Sequence, residues 1–288
     1  MKIAEALRAA ADRLSATSDT ARLDAELLMA HALGCSRTDL LLRHMTADVP
    51  AAFASLVERR MGHEPVAYIT GTAEFYGLDL AVSPAVLIPR GDTETLVEAA
   101  RETFAHRPPP QRILDLGTGS GALLLAALSL WPRAEGIAIE RSAEAIAVAR
   151  ANAARHAPCA SVREGDWTQS GWAEGLGRFD LVLSNPPYVE DDAPLDLSVR
   201  AHEPASALFS GPEGMDDYRM LVPQLPGLLA PDGVAIVEIG WQQAAAVSAL
   251  AVAAGMTARV HRDLAGRERA VEMVCLANIP LGNGAAAY

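Results

Sequence analysis

Apolar residues in the first sixty or so positions recur at helical spacing. Ile3, Leu7, Ala10, Ala11 and Leu14 share one helical face, and Leu23, Leu27, Leu28 and Leu33 do the same before Gly34, which predicts amphipathic helices. Asp39-Leu40-Leu41-Leu42 opens a further short helix and residues 51–61 another, with Arg59 and Arg60 near its end, where cations oppose the macrodipole. Residues 1–64 are therefore expected to form a small helical bundle. Its histidines (His31, His44, His63) are scattered, and it carries no catalytic constellation.

From Pro65 the period shortens. Tyr68-Ile69-Thr70-Gly71, Glu74-Phe75-Tyr76-Gly77 and residues 78–82 read as short strands with glycine turns, so residues 65–90 are expected to be a β-hairpin linker. A helix capped by Asp92 or Thr93 follows. Strands and helices then alternate. Strands are predicted at 112–116, 136–140, 161–164, 179–183 and 234–239, with helices at 122–130, 143–155, 215–229 and 242–254. Residues 257–262 and 270–277 would close the sheet as an antiparallel pair, and 282–288 would fray. This alternation predicts an α/β fold with a Rossmann-like, seven-stranded sheet over residues 91–288.

The strand 179–183 ends in Asn185-Pro186-Pro187-Tyr188. Two prolines cannot donate to a ladder, so they force the chain out at the strand's carboxyl end. That is the edge where open α/β sheets bind ligands. The Asn185 side-chain carbonyl and the Pro186 main-chain carbonyl each accept one N–H, a pairing suited to a planar NH2 group. Two acceptors fix such a group, increase electron density on its delocalised nitrogen and aim it at an electrophile. Pro187 stiffens the turn, and Tyr188 covers the flat face of the substrate group. The chemistry implied is methylation of an amide or exocyclic amine.

Other strand ends carry groups suited to a cofactor. Gly117-Thr118-Gly119-Ser120-Gly121 follows the first strand, and Gly117, Gly119 and Ala122 satisfy the looser dinucleotide pattern, with Glu140 near the ribose-binding distance. An NAD-linked oxidoreductase is thus a competing reading. Asp115, directly before the loop, favours S-adenosylmethionine: its carboxylate suits an amino acid end and would repel a pyrophosphate. Glu140 offers acceptors to both ribose hydroxyls, and Asp166-Trp167 offers an acceptor for the adenine amine beside an aromatic face.

Composition narrows the field. The chain has 288 residues, half of them hydrophobic, and a net charge of −12, with a pI near 5.0. That balance argues against tight binding to a polyphosphate backbone, and so against the other user of an Asn-Pro-Pro-Tyr motif, an adenine-N6 nucleic-acid methyltransferase acting on a flipped base. Three scattered cysteines (Cys35, Cys159, Cys275) have no metal-type spacing, so no metal is expected and reduced thiols are. The amino terminus has no signal-peptide core and no apolar run reaches membrane-spanning length. A cytoplasmic protein without membrane contact is expected.

With these residues in hand, the sequence resembles the class I S-adenosylmethionine-dependent methyltransferases. More narrowly, it resembles the HemK/PrmC-type family that methylates a glutamine amide in peptide chain release factors. The resemblance rests on Asp24-Ala-Glu-Leu-Leu, Glu64 to Gly71, Glu74 to Gly77, Leu87-Ile88-Pro89-Arg90 with Asp92-Thr93-Glu94, Asp115 to Gly121, Asn185 to Tyr188, Val199-Arg200 with Glu203-Pro204, Glu238-Ile239-Gly240, and Asp263 to Gly266. It implies S-adenosylmethionine bound by Asp115, Gly117 to Gly121, Glu140, Asp166, Trp167 and Asn185. It further implies methyl transfer at Asn185 to Tyr188, and release-factor docking by the amino-terminal helices. Gly91, Glu140 and Glu268 depart from the residues usual in that family (proline, aspartate and aspartate).

Overall fold

The computed structural model describes residues 1–276. The expected fray at 282–288, and Ala277 at the end of the last expected strand, lie outside the described residues. Contacts divide the chain into two compact units, one of Met1–Thr72, Val82–Pro84 and Pro194–Glu203, the other of the remaining residues.

The first unit is helical. It contains α1 (Ile3–Leu14), α2 (Ala21–Leu33), a short α3 (Arg37–Asp39) that widens into a π-turn at Leu40–His44, α4 (Phe53–Met61) and α5 (Val66–Thr70). The stripe predicted on α1 is buried, with Ile3, Leu7 and Leu14 packed against Leu28, Met29 and Leu40, whereas of the stripe predicted on α2 only Leu28 is fully buried and Leu23 is exposed. Two carboxylates are buried with them. Asp24 accepts from Ser18 Oγ at 2.7 Å, Thr20 Oγ1 at 2.8 Å and Arg60 Nε at 2.7 Å. Glu26 sits between Arg22 Nε at 2.6 Å and Arg37 Nε at 2.7 Å, and although burial raises its pKa, these two guanidiniums hold it below the usual range.

α5 corrects the strand expected at Tyr68–Gly71. Pro65 caps the turn, Tyr68 and Ile69 are buried from it, and Gly71 ends it at φ 77°, in the left-handed region. β-propensity at Tyr68 and Ile69 yields here to packing.

The second unit opens with the hairpin strands β1 (Thr72–Phe75) and β2 (Leu78–Ala81), then α6 (Glu94–Phe104). β3 (Arg112–Leu116), α7 (Ala122–Leu130), β4 (Glu135–Glu140), α8 (Ala143–His156), β5 (Ser161–Glu164) and β6 (Phe179–Ser184) follow as expected. The short α9 (Leu197–His202) belongs to the first unit. The single helix expected over 215–229 is instead α10 (Asp216–Leu221), a 3-10 turn at Val222–Gln224, and α11 (Leu225–Leu228). Pro223 and Pro226 fall near the start of each new turn, where a missing N–H is tolerated and a continuous helix is not. β7 (Leu229–Glu238), α12 (Ala244–Ala253), β8 (Met256–Arg262) and β9 (Glu268–Cys275) complete the described chain.

The seven strands lie in the order β5-β4-β3-β6-β7-β9-β8. β3 to β7 run parallel, and β9 is antiparallel to both β7 and β8. The sheet has an apolar core on each face, one under α6 and α7, the other under α10 to α12. Strand order reverses between β3 and β6, the switch point where ligands enter such sheets. Leu116 aligns with Ser184 across that pair, and Ser184 Oγ donates to the Leu116 carbonyl at 2.8 Å. Gly117 and Asn185 therefore leave the sheet side by side.

Candidate active site

A cleft of about 940 Å³, including its open mouth, lies at this switch point. Gly117, Thr118, Gly119, Ser120, Glu140, Asp166, Trp167, Asn185 and Pro187 all line it. Asp115, Gly121, Pro186 and Tyr188 do not belong to its lining.

Asp115 is the next-to-last residue of β3 and is 1% exposed. Its Oδ2 accepts from the Thr118 hydroxyl and from the Leu124 N–H, while Oδ1 has no hydrogen-bond partner among the described residues. Burial pushes this carboxyl up to about 7, against the lowering effect of Thr118 and Leu124. A buried acceptor without a donor costs about 1–3 kcal/mol, so the position fits a cationic amino group. The loop that follows needs glycine: Gly117, Gly119 and Gly121 sit at φ 71°, 55° and 88°, in the left-handed region. At Gly119 a side chain would meet nothing within 4 Å, so the main chain there faces open space. Gly121 has a different job, as the left-handed cap that starts α7.

Glu140 ends β4. Its Oε2 accepts from the Gly119 N–H at 3.0 Å, and Oε1 from the N–H groups of Arg141 at 2.8 Å and Ser142 at 3.0 Å. The carboxylate thereby ties the glycine loop to the next strand end, and Oε2 keeps a lone pair for a hydroxyl. Asp166 Oδ1 accepts from the Thr168 N–H at 2.9 Å and hydroxyl at 2.8 Å. Burial raises its pKa, but these bonds hold the carboxyl below the usual range. Trp167 is 8% exposed, and its indole N–H donates to Asp217 Oδ1 at 3.2 Å. Its ring edge stands 3.0 Å from where a Cβ on Gly117 would be, so the indole closes one wall over the loop.

At the β6 end, Asn185 Nδ2 donates to Thr93 Oγ1 at 3.3 Å. Tyr188 turns inward instead of lining the cleft: its hydroxyl donates to Glu238 Oε1 at 3.0 Å. Burial, then the neighbouring Glu238 charge, raises the phenol above its ordinary range. The Tyr188 N–H donates to the Leu208 carbonyl at 3.2 Å, and its carbonyl accepts from Gln243 Nε2 at 3.1 Å. The turn is thus held from the loops on both sides.

Sequence reading missed three residues here. Glu238, the last residue of β7, is 1% exposed, and burial pushes its carboxyl up to about 7, opposed by the nearby Thr93 side chain and by the hydrogen bond from Tyr188. Thr93 read only as a helix cap. Arg269, from β9, pairs with Asp92 at 3.0 Å and Asp263 at 3.3 Å. The signal available was the clustering of Asp92-Thr93, Glu238 and Asp263 among the motifs of the resemblance, without any spacing that links them.

Comparison with known proteins identifies the family. Residues 5–71 match the model of the PrmC N-terminal domain, and residues 92–203 that of the methyltransferase small domain. A release factor glutamine methyltransferase of Xylella fastidiosa is 42% identical over 264 residues, covering 88% of this chain and 94% of that protein. The protein of the same name from Caulobacter vibrioides is 41% identical, covering 94% of this chain and 96% of its own length. Among solved structures, a methyltransferase from Pyrococcus furiosus superposes with a TM-score of 0.51 at 17% identity, covering 76% of this chain and 97% of that one. The hMettl16 catalytic domain, solved with an RNA hairpin, gives 0.53 at 14% identity, covering 68% of this chain and 75% of its own. At such low identity these likenesses speak for the fold alone.

Proposed function

The chain belongs to the release factor glutamine methyltransferase family, and from that membership and the cleft we propose that it methylates the side-chain amide nitrogen, N5, of the glutamine in the Gly-Gly-Gln motif of peptide chain release factors. The observation that carries this reading is the Asn185 amide. Its NH2 is committed to Thr93, which leaves Oδ1 as an acceptor at the mouth of β6. An acceptor there selects a substrate that presents an N–H.

Bound S-adenosylmethionine supplies the electrophilic methyl carbon on a sulfonium. Asp115 would hold its amino group, Gly117–Gly121 its amino acid chain, Glu140 its ribose hydroxyls, and Asp166 with Trp167 its adenine. Asn185 Oδ1 and the Pro186 carbonyl hold the two N–H bonds of the glutamine amide, fixing its plane and aiming its lone pair. No strong base is needed beforehand, because alkylation makes the N–H acidic and the proton leaves afterwards. The proline pair supports this by holding the Pro186 carbonyl with little backbone freedom.

The helical unit, roughly residues 1–64, is the part we assign to recognition of the release factor. The segment 65–90 is the linker to the methyltransferase domain at 91–288. No helix of the described residues is long and apolar enough to cross a membrane. Together with a translation-factor substrate and an acidic surface, this supports action in the cytoplasm without direct nucleic-acid contact. The decisive experiment is mass spectrometry of a release factor incubated with the protein and S-adenosylmethionine, with duplex DNA assayed in parallel. One added methyl on the Gly-Gly-Gln glutamine is expected. An unmodified factor beside methylated adenine would replace this reading with its nucleic-acid rival.

A further inference from the structure

Arg269 lies buried on β9 beside the end of β7, and the proposed mechanism gives it no role. Its main-chain carbonyl accepts from the Ile239 N–H at 2.8 Å. Its guanidinium reaches two carboxylates, Asp92 Oδ2 at 3.0 Å and Asp263 Oδ2 at 3.3 Å. Asp263 is itself fixed, because its Oδ1 accepts from the N–H groups of Ala265 and Arg267, each at 2.9 Å. The arginine is thus a post set in the sheet by its backbone and in the β8–β9 turn by Asp263, with Asp92 held from its outer side.

Asp92 is the middle residue of Gly91–Thr93, the single 3-10 turn that opens α6. Its side chain is 57% exposed, so burial does not hold it and the charge-assisted pair with Arg269 does. Gly91 is exposed, and a Cβ there would meet nothing within 4 Å, so the turn starts on a residue with wide backbone freedom. The turn ends on Thr93, whose Oγ1 accepts from Asn185 Nδ2 at 3.3 Å. An N–H···O bond is usually about 2.7–3.2 Å long, so a drift of about 0.5 Å in the turn forfeits this one.

We infer that Arg269 is a positioning residue for methyl transfer: by pairing with Asp92 it holds the Gly91–Thr93 turn where the Thr93 hydroxyl receives the Asn185 amide, and so keeps Asn185 Oδ1 turned to the substrate. The inference rests on the reading of Asn185 given above and deepens it. Arg269 acts at a remove, through two adjacent residues of one turn. A slackened Asn185 still lines the cofactor wall but presents its acceptor to the glutamine less often, so the loss falls on the chemical step and not on cofactor affinity.

The test measures kcat on a release factor at saturating S-adenosylmethionine, under conditions where each variant is folded. Asp92→Ala leaves Arg269 paired with Asp263, so no buried charge is stranded. It should lower kcat about fivefold to tenfold, with the Kd for S-adenosylmethionine within about threefold. Arg269→Gln should do the same. Thr93→Val removes the acceptor itself and should cost at least as much; adding Asp92→Ala to it should cost less than about twofold more, because both act on one contact. Arg90, at φ −110° and ψ 143°, already has the extended conformation that precedes a proline, and proline suits the first position of a helical turn. Gly91→Pro in the Asp92→Ala background should therefore stiffen the turn and recover much of the lost kcat. Wild-type kcat in Asp92→Ala or in a folded Arg269→Gln would overturn the inference, as would losses that multiply in the Asp92→Ala, Thr93→Val double or a Gly91→Pro change that recovers nothing. Should Arg269→Gln fail to fold, Asp92→Ala and its double with Thr93→Val decide alone. Wild type inactive on the factor would sink the functional reading itself, whereas an active wild type with unaffected variants sinks only the role given to Arg269.

Discussion

Asn152 donates through Nδ2 to the main-chain carbonyl of Ser120 at 2.8 Å, joining α8 to the glycine loop. The same fully buried side chain donates to the Ala81 carbonyl at 2.9 Å and accepts from the Ala81 N–H at 2.7 Å. One carboxamide therefore fixes both the loop and the end of the hairpin. Asn152→Ala strands these main-chain groups in the interior, and at about 1–3 kcal/mol for each unsatisfied group a loss of about 3 kcal/mol in unfolding free energy is expected. Urea unfolding measures it, and calorimetry should show S-adenosylmethionine affinity falling as well. Unaltered affinity would mean that the loop holds its shape without Asn152.

If Asp115 holds the cofactor's amino group as proposed, cofactor binding should depend on pH. Its carboxyl stands at about 7 in the cofactor-free protein, raised by burial, and an ammonium partner needs it ionised. Below that value binding must displace a proton, so affinity should climb up to about tenfold per pH unit and level off above neutrality. Stability of the free protein runs the other way. A raised carboxyl pKa favours the folded state most fully below the ordinary value, and that contribution disappears as pH rises toward 7; Glu238 acts with the same sign. Titration calorimetry in buffers of differing ionisation enthalpy should register proton release near pH 6. Asp115→Asn should abolish it.

Replacing Asn185 with alanine removes the acceptor and leaves the cofactor wall largely intact. Methylation should fall by orders of magnitude, about 100-fold or more for loss of an orienting donor–acceptor set. Affinity for S-adenosylmethionine should weaken far less. Single-turnover methyl transfer beside equilibrium binding separates the two effects, and full activity in the variant would remove the orienting role.

Gly214 is the tightest approach to the Tyr188 main chain. A Cβ there would stand 2.3 Å from the Tyr188 carbonyl oxygen, and the residue sits at φ 65°. Gly214→Ala must push the Asn185–Tyr188 turn or its own loop aside, at a cost of about 1–3 kcal/mol in strain. We expect a fall in kcat with S-adenosylmethionine binding retained. A variant with wild-type kcat and stability would show that this loop yields freely.

Much of the fold was legible because most of it is local. The strands at Arg112–Leu116 and Phe179–Ser184 appear where their apolar runs and flanking turn residues placed them. Residues 68–71 were misread because Tyr68 and Ile69 favour strands in isolation, and only burial against the helical core turns them into α5. The break over 215–229 lies at Pro223 and Pro226, the residues in that stretch that a continuous helix does not tolerate. At the site, residues at the ends of β3, β4, β5 and β6 announced themselves by following strands. Thr93, Glu238 and Arg269 did not. Each has an ordinary local explanation as helix cap, strand end or surface cation, and their meeting depends on non-local strand order.

That strand order bears on how the protein is made. β9 slides between β7 and β8 and brings Arg269 to Asp92, so a stretch translated after both of them finishes the wall around the tyrosine and its acid partner. Until it emerges from the ribosome, β7 offers a bare hydrogen-bonding edge rich in valine and isoleucine, a hazard for sticking to neighbours. A message cut short before codon 268 would thus yield a chain that owns every glycine-loop residue, yet remains both unfinished in its catalytic wall and prone to clump.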